Sequence, residues 1–549
     1  MWKINSKDAA DQRPAATNMH ARIMALFDGS DHTGSQEFET AISRAAHEFL
    51  KDTIVTSGAS IDDVSNQFLE SAIPHIPVQL RDYAAHMLES VVPHAVRNGS
   101  PRCMGNMISA LPHFVHPLGR LVSAMNQNLV KTEASKSLSP VERQVLAMVH
   151  RLTYGFPEDF YRDHVQRSES TLGMIVSGGT VANLMALWCA RNAALAAKER
   201  SQDVERQGVS AALHTAGYRG AVIIGPSSMH YSFDKAASLL GFGTKALIRV
   251  PTDSRGRVTM GLLRRAAESA RKRGDLILAI VAVAGTTDAG AIDPLAKVAA
   301  VADEFGTHFH VDATWGWPLL FSRRHQGKLT GIERAHSVSI DGHKQMYLPV
   351  GLGMLILRDP QLADAVRVHA HYTVRERSRD LGRYAFEGSR PGLTLFLHAA
   401  LHLIGAAGYE YIVNENIRKA KYMASQIRAR REFELLVEPN TNILLYRYNP
   451  WKTADGEVAG PENSDEFIDQ VNEWLQKAQR RCGTSAVSRT HLEIMRHGKR
   501  FRVMALRAIV ANPLSSTADI NAVLDEQVWL AARCPLLATD KSRTAIKGI

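Results

Sequence analysis

The stretch that decides the fold begins with His310-Val311-Asp312-Ala313-Thr314-Trp315-Gly316-Trp317 and ends with Ser337-Val338-Ser339-Ile340-Asp341-Gly342-His343-Lys344. Each segment starts as a short apolar run, so we predict that Asp312 ends one strand and that Lys344 follows another. Open α/β sheets place their ligands at the carboxyl ends of their strands. We therefore expect Asp312 and Lys344 to lie close together at one edge of a sheet.

An acid and a lysine at neighbouring strand ends suit the chemistry of pyridoxal phosphate (PLP). The lysine can form a Schiff base with the cofactor, and the acid can keep the pyridine nitrogen protonated so that the ring withdraws electrons. Asp and Lys are also common on ordinary loops, so the pair alone does not decide the matter. The interpretation depends on what else lies at the same sheet edge.

The composition is that of a globular protein, with 549 residues of which 45% are hydrophobic and 22% charged. The formal net charge is +10, but the basic residues are dispersed, which argues against a nucleic-acid-binding protein. The longest apolar run, 276–284, is too short to cross a bilayer. The four cysteines lack metal-ligand spacing, so we expect no metal site and a reducing compartment; they are Cys103, Cys189, Cys482 and Cys534. We also expect a cytoplasmic location.

Apolar spacing divides the chain into three predicted regions. Helical spacing predicts an N-terminal helical arm at 1–100 that packs on a partner subunit. Short strands that alternate with helices predict a large α/β domain at 101–395. A small α+β domain is predicted at 396–549. One long helix, predicted at 395–430, begins just before this boundary. A further helix is predicted from Pro140 to Tyr154, with Ser139 as its N-cap and Glu142 completing a capping box.

Three more turns follow predicted strands. Ser177-Gly178-Gly179-Thr180 opens a helix, and its glycines would let backbone N–H groups approach a phosphate. Met229-His230-Tyr231 places a histidine where its ring can stack on a planar cofactor, and Gly285-Thr286-Thr287 offers hydroxyls to a ring substituent. Taken singly, each has a plainer interpretation: an N-cap turn, a structural histidine and a common turn.

In this order, the motifs resemble those of the group II PLP-dependent amino acid decarboxylases over residues 101–513. The most specific features are Asp-Ala-x-Trp-Gly at 312–316 and Gly-His-Lys at 342–344. Within the group, residues 101–128 look most similar to those of the bacterial pyridoxal-dependent aspartate 1-decarboxylases. The resemblance implies PLP-dependent transferase fold type I, which is an α/β fold: a large, mostly parallel sheet domain, an N-terminal helical arm and a small C-terminal α+β domain.

The resemblance also assigns cofactor roles to individual residues. Lys344 would carry PLP, Asp312 would pair with the pyridine nitrogen, and His230 would stack on the ring. Thr287 would contact the ring substituents. Ser389 would reach the phosphate of the neighbouring subunit, which would make the protein an obligate homodimer. The phosphate would further be bound by four residues of the turns, namely Gly178, Gly179, Thr180 and His343.

The remaining assignments concern the substrate. Tyr372 matches a family tyrosine that gives a proton to the α-carbon, although an exposed tyrosine in a basic loop is a competing interpretation. Arg507 resembles the arginine that binds the substrate carboxylate in glutamate decarboxylase, and an edge-strand arginine can equally form a surface ion pair. Asn106 and Ile108 align with the opposite pocket wall. The implied reaction is α-decarboxylation of an acidic amino acid: L-aspartate to β-alanine, or alternatively L-glutamate to GABA, or cysteine sulfinate.

Two residues depart from the family pattern. Thr314 stands where a second alanine is frequent and adds a hydroxyl under the ring. Asp341 stands where bacterial glutamate decarboxylases have a phosphate-binding serine, and because a carboxylate repels phosphate we expect it to turn away or to bond to the backbone. A PLP-dependent carbon–carbon lyase stays open as an alternative, although the sequence shows no motif for the second anion pocket it would need. A non-catalytic relative is disfavoured by the intact lysine and acid.

Overall fold

A computed structural model describes residues 16–196, 204–368, 379–451, 464–496 and 499–537. Tyr372 lies outside the described residues. Within them, we found no helix that combines the length and the apolar character needed to cross a membrane.

A seven-stranded mixed sheet forms the centre of the large domain, in the spatial order β1-β7-β6-β5-β4-β2-β3. Its strands are β1 (Gly173–Val176), β2 (Gly220–Pro226), β3 (Leu247–Val250), β4 (Asp275–Val283), β5 (His308–Asp312), β6 (Ser337–Asp341) and β7 (Gly353–Leu357). Strand β7 runs antiparallel to both of its neighbours, and the other strand pairs are parallel. The turns after β2, β4, β5 and β6 therefore meet at one edge of the sheet.

Helices cover both faces of this sheet. The described residues contain α1 (Ala16–Asp28), α2 (His32–Lys51), α3 (Ile61–Ser65), α4 (Leu80–His86), α5 (Val115–Met125), α6 (Thr132–Ser135), α7 (Leu138–Tyr154), α8 (Glu158–His164), α9 (Gly179–Ala194), α10 (Val204–Thr215), α11 (Ser232–Leu239), α12 (Met260–Arg273), α13 (Leu295–Phe305), α14 (Thr394–Leu403), α15 (Gly405–Ala429), α16 (Ser464–Cys482) and α17 (Thr517–Ala531). Strand β4 is buried at every position after its first, which explains its almost unbroken run of apolar residues.

The small domain is a four-stranded antiparallel sheet with helices packed on it. Its order is β10-β11-β9-β8, and the strands are β8 (Phe433–Val437), β9 (Ile443–Tyr448), β10 (Ser488–Arg496) and β11 (Lys499–Ile509). Helix α15 contributes to both hydrophobic cores: Val413 and Ile417 pack in the large core, whereas Met423 and Ile427 pack in the small one. The predicted domain boundary at 395/396 stays a prediction.

Two helix predictions are wrong in detail. The long helix predicted at 395–430 is divided into α14 and α15, because Gly405 adopts a positive φ of 65° that breaks the helix. The predicted capping box is absent, because α7 begins at Leu138 and therefore contains Ser139. Glu142 is instead buried and forms an ion pair with Arg390, with Oε1 2.6 Å from Nη1.

The N-terminal helices leave many apolar side chains exposed. Helix α2 buries none of its residues, Phe27 of α1 and Ile61 of α3 are 81% and 76% exposed, and Leu69 in the loop after α3 is 74% exposed. Such a surface is expected on an arm that has too little core of its own.

Candidate active site

The carboxyl edge of the large sheet brings together four of the charged or titratable side chains singled out in the sequence. Asp312 ends β5 and is buried, Asp341 ends β6, Lys344 follows β6, and His230 follows β2. Burial lowers the pKa of His230, the negative charges of Asp312 and Asp341 oppose that effect, and the positive charge of Lys344 adds to it. The four side chains therefore share one electrostatic environment.

Lys344 is held by its neighbours at this edge. Its Nζ donates a hydrogen bond to Thr314 Oγ1 at 3.1 Å and lies 3.4 Å from Asp341 Oδ2. Asp341 Oδ1 in turn lies 2.9 Å from His343 Nδ1. The expectation that Asp341 turns away from the site or bonds to the backbone is wrong: its carboxylate, which is only 5% exposed, faces Lys344 and His343, and the nearby ammonium of Lys344 offsets the cost of its burial.

The glycine turn forms a narrow cradle beside the lysine. A Cβ atom added to Gly179 would lie 2.6 Å from Thr314 Cγ2 and 3.1 Å from Asp341 Oδ2, and one added to Gly178 would lie 3.5 Å from His343 Cε1. Helix α9 begins at Gly179, so its free N–H groups open into this space. The two glycines leave this space open, and the helix N-terminus, Lys344 and His343 can bind an anion there against the repulsion of the Asp341 carboxylate, so the cradle fits the phosphate group of PLP. Thr180 is half-buried in the first turn of the same helix.

His230 and the Thr286–Thr287 turn lie at adjacent strand ends. His230 Nδ1 accepts the backbone N–H of Ser232 at 3.2 Å, so Nε2 carries the proton when the ring is neutral. The Thr286 hydroxyl accepts the N–H of Ala291 at 3.0 Å and thereby holds the turn. Thr287 is half-buried next to it and stays the predicted contact to the cofactor.

Arg507 lies on β11 with part of its guanidinium unpaired. Nη1 lies 3.2 Å from Ser488 Oγ, but Nε and Nη2 are buried without a hydrogen-bond partner among the described residues. Burial lowers the pKa of Arg507, and the negative charge of Asp288, next to Thr287, opposes that effect. Two guanidinium nitrogens without partners are able to bind a carboxylate in a bidentate arrangement, and Arg507 stays the predicted carboxylate-binding residue.

Asn106 and Ile108 lie in a segment that packs near β10, an edge strand of the small sheet. Gly105 packs against Ser488, because a Cβ added there would lie 3.2 Å from Ser488 N, and Ser488 is the β10 partner of Arg507. Asn106 itself is exposed and donates a hydrogen bond to Asn98 Oδ1 at 2.6 Å. Ile108 is half-buried. The structure places this segment near Arg507 but gives Asn106 no contact with it.

Ser389 is exposed and accepts a hydrogen bond from Asn128 Nδ2 at 3.0 Å. Two residues earlier, Glu387 Oε1 accepts the backbone N–H of Ser177 at 3.1 Å. This contact places the 387–391 segment at the glycine turn of its own chain. Whether the Ser389 hydroxyl reaches the phosphate of a second subunit stays a prediction.

Asn183 and His310 belong to the site although sequence analysis gave them no role. Asn183 Nδ2 donates to Asp312 Oδ2 at 3.0 Å, and Asn183 Oδ1 lies 2.9 Å from His310 Nε2. Two signals in the sequence were available. Asn183 follows Gly179 by one helical turn, and His310 precedes Asp312 by two residues of one strand, so each shares a face with a predicted site residue.

The acid that ends β5, the lysine that follows β6 and the adjoining glycine turn together define the class of fold type I PLP enzymes. Residues 64–449 match the family described as "Pyridoxal-dependent decarboxylase conserved domain". The chain belongs to the pyridoxal-dependent decarboxylase family, which confirms the resemblance, the carboxy-lyase class and the PLP cofactor predicted from the sequence.

Curated relatives cover most of the chain. It is 40% identical to the aspartate 1-decarboxylase of Aliivibrio fischeri over 500 residues, which is 90% of this chain and 91% of that protein. It is 28% identical to the L-2,4-diaminobutyrate decarboxylase of Rhizobium meliloti over 410 residues, which is 74% of this chain and 72% of that protein.

A solved structure supports the fold. The crystal structure of mouse CSAD in apo form superposes with a TM-score of 0.79 at 24% identity and covers 92% of this chain and 99% of that chain. This likeness confirms the predicted fold class, in which a large mixed-sheet domain carries a small antiparallel-sheet domain.

Proposed function

We propose that this enzyme removes the α-carboxylate of an acidic L-amino acid, with L-aspartate, which yields β-alanine and CO2, as its preferred substrate. The observation that carries the proposal is the half-buried Arg507, whose buried Nε and Nη2 have no hydrogen-bond partner among the described residues. A planar guanidinium with two free N–H groups matches a carboxylate in a bidentate arrangement. The 40% identity to an aspartate 1-decarboxylase supports the choice of L-aspartate.

The residues of the carboxyl edge would hold PLP. Lys344 would bond to it covalently, Asp312 would accept a hydrogen bond from the pyridine nitrogen, and His230 would cover one face of the ring. When bound, PLP supplies an electron-withdrawing ring for the electron pair that remains after the carboxylate leaves. Further contacts would come from Thr287 to the ring substituents and from the phosphate-binding residues Gly178, Gly179, Thr180, His343 and Ser389.

Thr314 and Asp341 would receive the amino group of Lys344 while the substrate occupies the site. Their oxygens lie 3.1 Å and 3.4 Å from Nζ, so the released lysine stays close enough to return at the end of the reaction. In the substrate, the bond between Cα and the carboxylate carbon breaks and CO2 leaves. One proton is then added at Cα, and we propose that the Tyr372 hydroxyl donates it.

Arg507 distinguishes between the candidate substrates by the charge of their side chains. Its guanidinium attracts the side-chain carboxylate of aspartate and repels the side-chain ammonium of 2,4-diaminobutyrate, the substrate named for the Rhizobium meliloti relative. L-Glutamate is the alternative substrate, since one methylene changes binding by only about 1–3 kcal/mol. Cysteine sulfinate carries an acidic side chain as well. In the pocket, Asn106 and Ile108 would form the wall opposite Arg507.

We further propose that the enzyme works as a homodimer. The exposed apolar side chains of the N-terminal helices, such as Phe27 and Ile61, need a covering surface, and a second copy of the chain supplies one. The exposed Ser389 is then available to the site of the other subunit.

A panel of amino acids tests the proposed substrate class. We expect the purified protein, supplied with PLP, to release CO2 from acidic amino acids, with the highest kcat/KM for L-aspartate. Preference for an aromatic or a cationic amino acid would overturn the assignment of Arg507. For Tyr372→Phe, we expect loss of CO2 release with unchanged binding of PLP to the lysine, and unchanged turnover would refute the role of Tyr372 as proton donor.

A further inference from the structure

A chain of buried hydrogen bonds lies behind Asp312, on the face of the sheet that α9 covers. Asp312 Oδ2 accepts a hydrogen bond from Asn183 Nδ2 at 3.0 Å, Asn183 Oδ1 lies 2.9 Å from His310 Nε2, and His310 Nδ1 lies 2.8 Å from Ser337 Oγ. Ser337 Oγ also lies 2.7 Å from His308 Nε2. The first four of these residues are each less than 5% exposed, so water does not compete for these contacts.

The direction of each hydrogen bond follows from the carboxylate at one end. An ionised Asp312 accepts hydrogen bonds but donates none, so Asn183 must present its amino group to Asp312 and its oxygen to His310. His310 Nε2 must therefore carry a proton. The second N–H of Asn183 has its own acceptor, because Ser232 Oγ lies 3.0 Å from Nδ2, and rotation of the amide would turn its oxygen toward the carboxylate of Asp312.

The protonation state of His310 fixes the directions of the remaining hydrogen bonds. Burial lowers the pKa of His310 to about 4, although the negative charge of Asp312 opposes the effect. The ring is therefore neutral near pH 7, and with the proton on Nε2 its Nδ1 accepts the hydroxyl hydrogen of Ser337. Ser337 Oγ then accepts from His308 Nε2. Every donor in the chain points toward Asp312, and no other set of proton positions with an ionised Asp312 and a neutral His310 satisfies all these contacts.

We propose that Asn183, oriented by His310, is a positioning residue that fixes the carboxylate of Asp312 in the rotation and charge state that PLP requires. With the Thr314 backbone N–H, which donates to Oδ1 at 3.2 Å, Asn183 gives each carboxylate oxygen one donor. Hydrogen bonds to an ionised carboxylate are stronger than neutral ones and stabilise the charged form. This inference rests on the proposed pairing of Asp312 with the pyridine nitrogen.

The test uses the PLP-free protein titrated with PLP, and it measures the Kd and the visible spectrum of lysine-bound PLP as a function of pH. Asn183→Leu keeps the size of the side chain but removes the donor, and we expect PLP affinity to fall about 10- to 100-fold, the effect of losing one hydrogen bond to a charged group. We also expect a changed pH dependence of the spectrum. A wild-type Kd and a wild-type spectrum in folded Asn183→Leu would overturn the proposal.

Asn192 provides a matched control on the same helix. It is also buried, but its side chain bonds to Glu205 and to the carbonyl of Ala365, away from Asp312. We expect Asn192→Leu to lower the Tm of the PLP-free protein while Kd and spectrum stay unchanged. If Asn192→Leu weakened PLP binding as much as Asn183→Leu does, the effect would be one of general packing and the proposal would be wrong.

His310 gives a second pair of variants that does not depend on whether Asn183→Leu folds. His310→Gln keeps an N–H donor for Asn183, whereas His310→Phe removes it, so we expect near wild-type PLP affinity in the first and weakened affinity in the second. Equal affinities in the two variants would overturn the proposal. Asp312→Asn distinguishes the proposed pairing of Asp312 with PLP from the positioning role of Asn183. Unchanged PLP affinity in Asp312→Asn would refute the placement of Asp312 itself. Weakened PLP affinity in Asp312→Asn, with none in Asn183→Leu, would refute only the positioning role.

Discussion

Asp312 is buried and Arg507 is half-buried; both side chains are assigned to the site, but their surroundings differ. Both oxygens of Asp312 accept hydrogen bonds within the large domain, from Asn183 and from the Thr314 backbone. Arg507 uses only Nη1, and its two other nitrogens are buried without partners in the part of the chain that the structure describes. The side of the site assigned to the cofactor is thus arranged before any ligand binds.

The two surroundings contribute differently to the stability of the fold and to the binding of a ligand. A satisfied network such as that around Asp312 stabilises the fold and fixes geometry at the same time. An unpaired guanidinium destabilises the free protein, and the ligand that pairs with it recovers that free energy as affinity. Substitutions on the two sides should therefore affect different quantities.

The largest effect is expected at Arg507. Arg507→Met removes the carboxylate partner, so kcat/KM for L-aspartate should fall on the order of 100- to 1000-fold. The Tm of the PLP-free protein should change little, because the one hydrogen bond lost among the described residues is the 3.2 Å contact between Nη1 and Ser488 Oγ. Arg507→Lys keeps the charge without the planar fork and should give an intermediate value. A large drop in Tm with little change in kinetics would show that Arg507 serves the fold instead.

A smaller effect is expected at Thr314, whose hydroxyl lies 3.1 Å from Lys344 Nζ. Thr314→Ala removes that hydrogen bond, and we expect PLP to bond to the lysine about fivefold more slowly in a stopped-flow experiment, consistent with about 1 kcal/mol. Thr314→Ser keeps the hydroxyl and should react at the wild-type rate. Equal slowing in both variants would assign the effect to the lost methyl group.

The smallest effect on activity is expected far from the site, at His150 on α7, where the change concerns stability instead. The ring is buried among aromatic side chains, including Tyr154 and Phe160, and burial lowers its pKa to about 4. An unfolded histidine titrates near pH 6.5, so the unfolded chain binds the proton first and stability falls as the pH drops from about 6.5 toward 4.

His150→Phe should remove this contribution. Between pH 7 and pH 5, the wild-type protein should lose on the order of 2 kcal/mol more in unfolding free energy than the variant. Urea unfolding at the two pH values measures the difference, while kcat/KM should be the same for both proteins at pH 7. Equal acid sensitivity would contradict a buried neutral His150.

The strands of the large domain were predictable because their apolar runs alternate regularly with helical segments. The runs that end at Asp312 and precede Lys344 identified β5 and β6, and the same pattern identified β4. Strands β8 and β10 were not predicted, since they lie at the edges of the small sheet and mix polar with apolar residues, as in Ser488–Arg496. Edge strands carry the weakest hydrophobic pattern because one side of their backbone faces solvent.

Within the site, sequence analysis failed where a role depends on residues that are far apart in the sequence or that meet only in the folded turn. The repulsion between a carboxylate and a phosphate predicted that Asp341 turns away, but only the folded turn shows that Lys344 and His343 both face it. His310 opened the quoted motif and Asn183 lies three residues after Thr180, yet their contact joins residues 127 positions apart. A pattern read along the chain does not reveal such a pairing.

The central claim is that Lys344 carries PLP at the edge where Asp312 and the glycine turn meet. Reduction of the PLP-loaded protein with borohydride converts the carbon–nitrogen double bond between PLP and its lysine into a stable single bond, and peptide mass spectrometry then locates the modified residue. We predict one pyridoxyl group per chain, on Lys344, and none in Lys344→Ala. Stoichiometric modification of a different lysine, or none in the wild-type protein, would contradict the account.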